Sequence, residues 1–549
     1  MKFMKNKNTF IIAVILAFAF VIRFFNIANN PPSLTADEAA LGYNAYSILK
    51  TGRDEHGVFL PVIFKSFGDY KPGLYVYLTT FFVALFGLTE TAVRLPSVLG
   101  GTLSVFFVYL LIKKLFNQKV ALIASLLFAI NPWSIHFSRG AWEVNIALLF
   151  TIMAVYFFFM AQKRAIFLIY SAAAFGLTLW AYQGAKFMSM FLLIAILALF
   201  YKRFIKEKPK YLLTAAFIGL IFLLPVAMSF FKGQTGRLSV FSVFSYPRPI
   251  EYRDAFISQA NVKAGTPAYY LFYSEPYNFL RGILGRYFNH YSTDFLFFVG
   301  DWQNPRHSPP YHGMMLLASI VTIPVGLFYL LRRFDKNRAL VLFWLLLAPL
   351  PAALSRDQVH AVRSLYLSVP LVVLAALGIA SIYERFNKKA LPIIIFSYLI
   401  SFILFIDAEF IHLPPLQAAD WGYGYKEMAI ELDKIAADTS TVFVEQSYNQ
   451  PYIYYLFYSQ YDPKTYQNAN SFKDSIGADV GLVEKVGKVY FQDLNWGEIY
   501  SSDNSYLIAS AVTLPLGKIY QTPELNLVKE IYYPDNTPAF YILQVNEAK

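Results

Sequence analysis

The segment TADEAALGYNAYSILKTG, residues 35–52, places two adjacent carboxylates, Asp37 and Glu38, at the start of a helical pattern. Thr35 suits the N-cap, Leu41, Ala45, Ile48 and Leu49 recur on one face, and Gly52 suits the stop. Acidic residues in a first turn complement the helix dipole, worth about 0.3–1 kcal/mol, and need do nothing more. Position sets this pair apart. It lies a few residues beyond an apolar run long enough to cross a bilayer, where a buried carboxylate is costly and commonly functional.

Three further segments carry candidate chemistry. In GDYKPGLYVYL, Lys71 precedes Pro72 at the start of an apolar helix, where it could bind an anion or simply snorkel among interfacial tyrosines. NPWSIHFSRGAWEVN, residues 131–145, holds His136, Arg139 and Glu143 between apolar runs, and an Arg–Glu pair closing a helix junction is the plainer alternative. SRDQVHAVRSLYLSVP, residues 355–370, holds Arg356, His360 and Arg363, with Asp357 available for an interfacial ion pair.

Together these loops offer a few carboxylates and several cations, a set suited to a lipid-linked anion. In sugar transfer from a polyprenyl phosphate the leaving group is a stable phosphate, so no general acid is needed. One carboxylate can act as base on the acceptor hydroxyl. Cations stabilise charge on the departing phosphate. In-line attack inverts the anomeric centre, whereas hydrolysis usually sets two carboxylates about the scissile bond. The sequence holds no Walker loop, HExxH or GxSxG elbow. His290, His307 and His312 read as interfacial or hydrogen-bonded histidines, so no metal site is expected.

These residues must be positioned by membrane helices. Of 549 residues, 57% are hydrophobic and only 15% charged, against roughly 25% charge in soluble domains, and there is no cysteine. This excludes an ordinary soluble enzyme, a disordered regulator and a disulfide-stapled domain. Apolar runs lie near 9–28, 93–112, 119–136, 142–161, 165–182, 185–201, 211–230, 313–331, 339–354, 362–383 and 390–407. They predict about eleven spans, the first an uncleaved signal anchor interrupted by Arg23.

The basic segments 1–8, 113–119, 162–164, 201–210, 331–338 and 384–389 place those loops in the cytoplasm. The +12 net charge is then topology, and no nucleic-acid partner is expected. Parity makes the run 73–88 a juxtamembrane helix on the outer side rather than a span. The expected organisation is a transmembrane module at 1–230 with a first external loop at 29–92, a large external loop at 231–312, and further transmembrane helices at 313–407. An extracytoplasmic mixed α/β domain follows at 408–549, with an amphipathic helix at 425–438 and strands in TVFVEQ, KVYFQDL, SYLIASA, EIYYP and AFYILQV.

The acidic pair after the first span, the Lys-Pro helix, AVRLPSVLGG and NPWSIHFSRGAWE, in that order, resemble GT-C glycosyltransferases. The likeness is to the protein O-mannosyltransferases and the lipid A aminoarabinose transferase, a family 39-like, phospholipid-carrier-dependent group. It covers residues 9–230 well and 313–383 loosely. The family's Lys-Pro-Pro or His-Pro-Pro motif reads Lys71-Pro72-Gly73 here, and Glu143 stands where relatives often carry Asp.

The resemblance implies an all-α polytopic GT-C fold with external juxtamembrane helices. It implies Asp37 as catalytic base with Glu38 beside it, and Lys71, Arg94 and Arg363 at the donor phosphate. Arg139, Glu143 and His360 are expected to support the site. The implied donor is a polyprenyl-phosphate sugar, mannose or similar, and the acceptor a protein, lipid or glycan hydroxyl on the outer face. No cofactor is expected, and the membrane lipids are the remaining partner. The alternative is a transporter or flippase of lipid-linked sugars, which needs a polar mid-membrane pathway. A non-catalytic lipid-binding scaffold is a third possibility.

Overall fold

The computed structural model describes residues 2–204, 209–234, 242–244, 250–438, 441–447, 449–469, 472–473, 481–495, 499 and 505–546. It is mainly helical. The membrane-facing part opens with α1 (Lys2–Phe24), α2 (Ala36–Thr51), the strands β1 (Ile63–Ser66) and β2 (Asp69–Pro72), and α3 (Leu74–Phe86). The bundle continues with α4 (Glu90–Leu115), α5 (Gln118–Ala129), α6 (Pro132–Arg139), α7 (Glu143–Met160), α8 (Phe167–Ala181), α9 (Ala185–Phe204) and α10 (Pro209–Phe231).

Among the described residues, seven helices are long and apolar enough to cross a membrane, and α5 with α6 makes an eighth if that pair, bent by 50°, is one span. The protein is a multi-pass membrane protein. About eleven spans were expected, and the difference lies in the shorter helices. The run 165–182 forms a helix of 15 residues, 313–331 one of 14 (Ser319–Arg332), and 339–354 only Lys336–Leu347, of 12. At 1.5 Å per residue these rise roughly 18–23 Å, short of a ~30 Å core. The 13 residues of α3 fall short likewise, in keeping with its reading as a juxtamembrane helix.

The α5–α6 bend has a local cause. Pro132 has no N–H for the carbonyl of Phe128, and Trp133 turns its N–H to Met314 O at 3.2 Å. Arg23, buried within α1, fills the gap. Its Nη2 donates to Phe128 O at 3.3 Å and Ser134 Oγ at 2.8 Å, its Nη1 to Ala129 O and Ala19 O at 3.0 Å, and its Nε to Ser138 Oγ at 3.2 Å. The charge inside the first span therefore ties α1 to the bend. Gly101 of α4 makes room for this knot, since a Cβ there would sit 1.9 Å from Ser138 Oγ. Further along, Gly326 and Gly378 let Ser319–Arg332 and Ser368–Phe386 touch backbone to backbone, as small residues do between membrane helices.

Beyond Asp407 the chain forms the predicted amphipathic helix, Tyr425–Asp438, and a six-stranded mixed sheet. Its strands are β3 (Val442–Glu445), β6 (Lys485–Val486), β7 (Val489–Gln492), β8 (Ser505–Ser510), β9 (Leu525–Tyr532) and β10 (Pro538–Val545); β4 (Phe472–Lys473) and β5 (Leu482–Val483) form a separate pair. In the order β6-β7-β3-β8-β10-β9, β3 runs parallel to both neighbours and the outer pairings are antiparallel. The tail is not a detached module. Its helix Pro451–Tyr458 packs on α2, with Phe457 against Gly42, and Tyr43 Oη donates to Tyr461 O at 3.0 Å.

Candidate active site

Asp37 and Glu38 share the first turn of α2 but meet different surroundings, because successive residues on a helix point about 100° apart. Glu38 closes a capping box, its Oε2 accepting from Thr35 N at 2.9 Å while Thr35 Oγ1 accepts from Glu38 N at 3.3 Å. Its Oε1 also accepts from Ala141 N at 2.8 Å and Arg94 Nε at 3.0 Å, and its Oε2 from Arg94 Nη2 at 3.3 Å. Only 4% of its side chain is exposed, against 40% for Asp37. Asp37 is the carboxylate an incoming hydroxyl can reach.

Lys71 is ion-paired to Asp37 Oδ1, and only 8% of its side chain is exposed. The β1–β2 hairpin sets it there. Ser66 pairs with Asp69 across a two-residue turn, in which Phe67 and Gly68 both take positive φ (55° and 102°), the combination of a type I′ hairpin. Periodicity missed this hairpin because its strands are four residues long and flank an apolar run. Asp37, Asn44, Ser66 and Lys71 line one recess with Phe64 and Val76.

Behind the recess lies Glu55, which sequence reasoning missed. It is buried, accepts from Asn44 Nδ2 at 2.8 Å, and donates its backbone N–H to Asn44 Oδ1 at 3.0 Å. Burial pushes its carboxyl up to about 8, against a smaller opposing pull from the Asn44 bond; nearby Asp54 adds to the rise. The local string RDEHG carries no sequence signal of burial.

Arg94, expected at the donor phosphate, is instead completely engaged within the protein. Besides Glu38 it donates to Ile27 O at 2.9 Å, Pro31 O at 3.0 Å and Ser33 O, which accounts for all five N–H groups. It holds the 27–38 segment in place. Arg139 serves a similar purpose at the end of α1, donating to the carbonyls of Ile22 (2.9 Å), Arg23 (3.3 Å), Phe25 (3.0 Å) and Asn30 (2.7 Å). Its Nε lies 3.5 Å from Glu409 Oε1. Glu409 was not anticipated either: it is 273 positions from His136, yet its Oε2 lies 2.9 Å from His136 Nδ1.

Arg363 and His360 belong to a second polar group. Arg363 Nη1 pairs with Asp357 Oδ2 at 2.9 Å, and His360 caps the short helix Ala361–Ser364 by accepting from Arg363 N at 3.3 Å. Beside them Asp301 Oδ2 lies 2.9 Å from His307 Nδ1 and accepts from Ala361 N at 2.7 Å. A chain of rings links this group to the first: Arg94 lies over Trp421, Trp421 meets Trp142, Trp142 meets His307 and His307 meets His360. Glu143, the first residue of α7, follows Trp142 directly and is half-buried. Asp37 with Lys71 and Glu38 with Arg94 are thus in direct contact; His360, with Arg363 beside it, is joined to Arg94 only through the chain of rings, and Arg139 is buried against the end of α1.

Residues 70–228 match the family model of dolichyl-phosphate-mannose-protein mannosyltransferases, a stretch that contains Lys71, Arg94, Arg139 and Glu143. YycA of Bacillus subtilis (strain 168), provisionally named a mannosyltransferase, is 29% identical over 131 residues, covering 24% of this chain and 19% of YycA. The chain thus matches only about a fifth of that relative's length. ArnT of Cupriavidus metallidurans in its apo state superposes with a TM-score of 0.54 at 13% identity, over 97% of either chain. The same ArnT bound to undecaprenyl phosphate superposes with a TM-score of 0.53 at 11% identity, over 96% of this chain and 97% of that one. The chain thus has the fold of ArnT, and its residues 70–228 match the mannosyltransferase family model.

Proposed function

We propose that the chain transfers a glycosyl group from a polyprenyl-phosphate sugar to an acceptor hydroxyl at the outer face of the membrane, with inversion. The observation that carries this reading is the Asp37–Lys71 pair, a half-exposed carboxylate against a nearly buried ammonium at one recess. The family model's donor, dolichyl-phosphate mannose, and the undecaprenyl phosphate held by ArnT support a lipid-phosphate donor.

On donor entry the phosphate takes over Lys71 and frees the Asp37 carboxylate. The acceptor oxygen then bonds to the anomeric carbon as the bond from that carbon to the phosphate oxygen breaks. The acceptor proton passes to Asp37, and polyprenyl phosphate leaves with its electron pair, its charge balanced by Lys71. Glu38 and Arg94 position the segment that carries Asp37 and touch no substrate. Arg363, His360, Glu143 and Arg139 support the site, with Arg363 the further cation available to the donor phosphate. No step in this transfer needs a cofactor or metal.

The sugar is mannose or a similar pyranose, and the acceptor a protein, lipid or glycan. The basic loops support an orientation with the N-terminus inside and the site and residues 408–549 outside. A flippase would need polar groups lining a path through the bundle; Arg23, the charge inside the first span, instead has all five N–H groups bonded to protein. The reading is tested by incubating membranes containing the chain with radiolabelled polyprenyl-phosphate mannose and following label into non-lipid or glycolipid product. Label that moves only between leaflets would support the flippase instead.

A further inference from the structure

The helix Glu275–Asn289 lies within the segment expected as a large external loop, and its polarity is inverted. Tyr277, Leu280, Leu284 and Phe288 are 36%, 55%, 45% and 62% exposed. At about 100° per residue these four lie within roughly 80° of one another, and Arg286 projects from the opposite side. Arg286 is buried and donates from Nε to Ala353 O at 3.0 Å. A helix facing water buries its apolar stripe and wets its charges, the reverse of this arrangement. We propose that the Tyr277–Leu280–Leu284–Phe288 face is immersed in the acyl chains of the bilayer, making this an in-plane membrane helix. Only the naming of the leaflet, the outer one, rests on the orientation proposed above; the immersion itself uses no step of the transfer reaction.

Two observations name lipid as the occupant. The first is continuity. Tyr287 Oη donates to Leu346 O at 2.8 Å and Tyr291 Oη to Leu345 O at 2.7 Å, which fastens the helix to the last turn of Lys336–Leu347. That helix packs on α9, which is long and apolar enough to cross a membrane, and turns Phe343 and Leu346 outward. The apolar surface therefore runs on from Leu346 across the joint. The second is dimension. Lys336–Leu347 rises about 18 Å of a ~30 Å core from its basic end. A helix with its side chains is about 10–12 Å across, so one laid over the Leu347 end fills the depth that remains.

Arg281 fits this placement. It is exposed beside Leu280 and Leu284, where its stem can lie along acyl chains while the guanidinium reaches the lipid phosphates. Tyr277 is of the type that gathers at the membrane–water boundary. The polar side of the helix has its own partners. Besides Arg286, Asn289 Nδ2 donates to Gln358 Oε1 at 3.3 Å, and Asn278 Nδ2 to Tyr273 O at 3.0 Å. Through Ala353 and Gln358 the helix grips the stretch that leads to His360 and Arg363, so its seat in the lipid sets the height of that stretch over the bilayer.

The chain has no cysteine, so single cysteines can be introduced without background. Leu280→Cys, Leu284→Cys and Phe288→Cys read the helix face, and Val512→Cys, at a tail position 90% exposed, is the water-facing reference. Each full-length variant is spin-labelled and reconstituted in vesicles of phosphatidylethanolamine and phosphatidylglycerol. Its collisions are then compared with oxygen, which concentrates among acyl chains, and with a water-soluble nickel chelate. The three helix labels should collide more with oxygen than with nickel, and the label at 512 should show the reverse. All four positions lie on the surface, so the substitutions leave the packed interior intact. Helix labels that meet nickel as freely as the label at 512 would overturn the immersion. So would labels shielded from both reagents, which would place protein, a second copy of the chain included, over the face.

Discussion

Arg94 grips both carboxylate oxygens of Glu38, Nε to Oε1 at 3.0 Å and Nη2 to Oε2 at 3.3 Å, and its remaining N–H groups close on backbone carbonyls of the preceding loop. The neighbouring carboxylate, Asp37, is left to face solvent and Lys71. One turn of α2 thus ties one acid into the protein and leaves the other partly open to solvent.

Breaking this buried pair from one side leaves an uncompensated charge, which costs about 3–5 kcal/mol. Arg94→Ala should therefore lower the thermal midpoint sharply in detergent. Arg94→Lys should do nearly as badly, because a point charge cannot reproduce five directed bonds. A variant of normal stability with only a raised donor KM would return Arg94 to the phosphate.

Lys71→Ala should fold. Loss of the cation at the departing phosphate should lower kcat/KM for the donor by roughly 10²–10³-fold, with kcat falling as well as KM rising. Steady-state kinetics with varied donor concentration decide this. Unchanged donor kinetics would leave Lys71 as an interfacial lysine only.

Glu55 makes stability depend on pH. Its folded pKa, about 8, lies above its ordinary value of 4.5, so the folded state holds a proton the unfolded chain has released. The stabilisation is complete below about pH 4.5 and is lost as pH rises through 8. Thermal midpoints of the wild type should fall across that window, and Glu55→Gln should flatten this part of the profile. An unchanged slope in Glu55→Gln would mean that Glu55 does not carry the effect.

Gln467 tests the link between tail and site helix. Its Nε2 donates to Ser47 Oγ (3.0 Å), Thr51 Oγ1 (3.1 Å) and Asp54 O (2.9 Å), fastening the end of α2 and the turn before Glu55. Gln467→Ala should cost about 1–2 kcal/mol and speed hydrogen exchange at residues 47–57. Unaltered exchange there would separate the tail from α2.

Much of the scaffold was legible because apolar runs and basic loops are local signals. The helix carrying Asp37 showed its cap and stop residues, and the tail's main strands showed their alternation. Interior partners were not legible. Glu409 meets His136 and Arg139 from far along the chain, and Asp301 lies close to His360 although 59 positions separate them. The cationic residues singled out in the sequence are of two kinds. Arg94 and Arg139 bind carbonyls exposed where helices end, and only burial and bond count distinguish them from Lys71. Helix length was not legible for a related reason: composition marks an apolar segment without saying where Pro132 bends it or how short the helix within it is.

The central claim is that Asp37 is the base. Asp37→Asn keeps the size and polarity of the side chain and should leave folding intact. It should still bind the polyprenyl-phosphate sugar, yet lose about 10²–10⁴-fold in the rate of transfer to acceptor. Single-turnover transfer from prebound radiolabelled donor, measured beside donor binding on the same preparation, separates the two steps. Bound donor without transfer is the expected result; transfer at the wild-type rate would contradict the account.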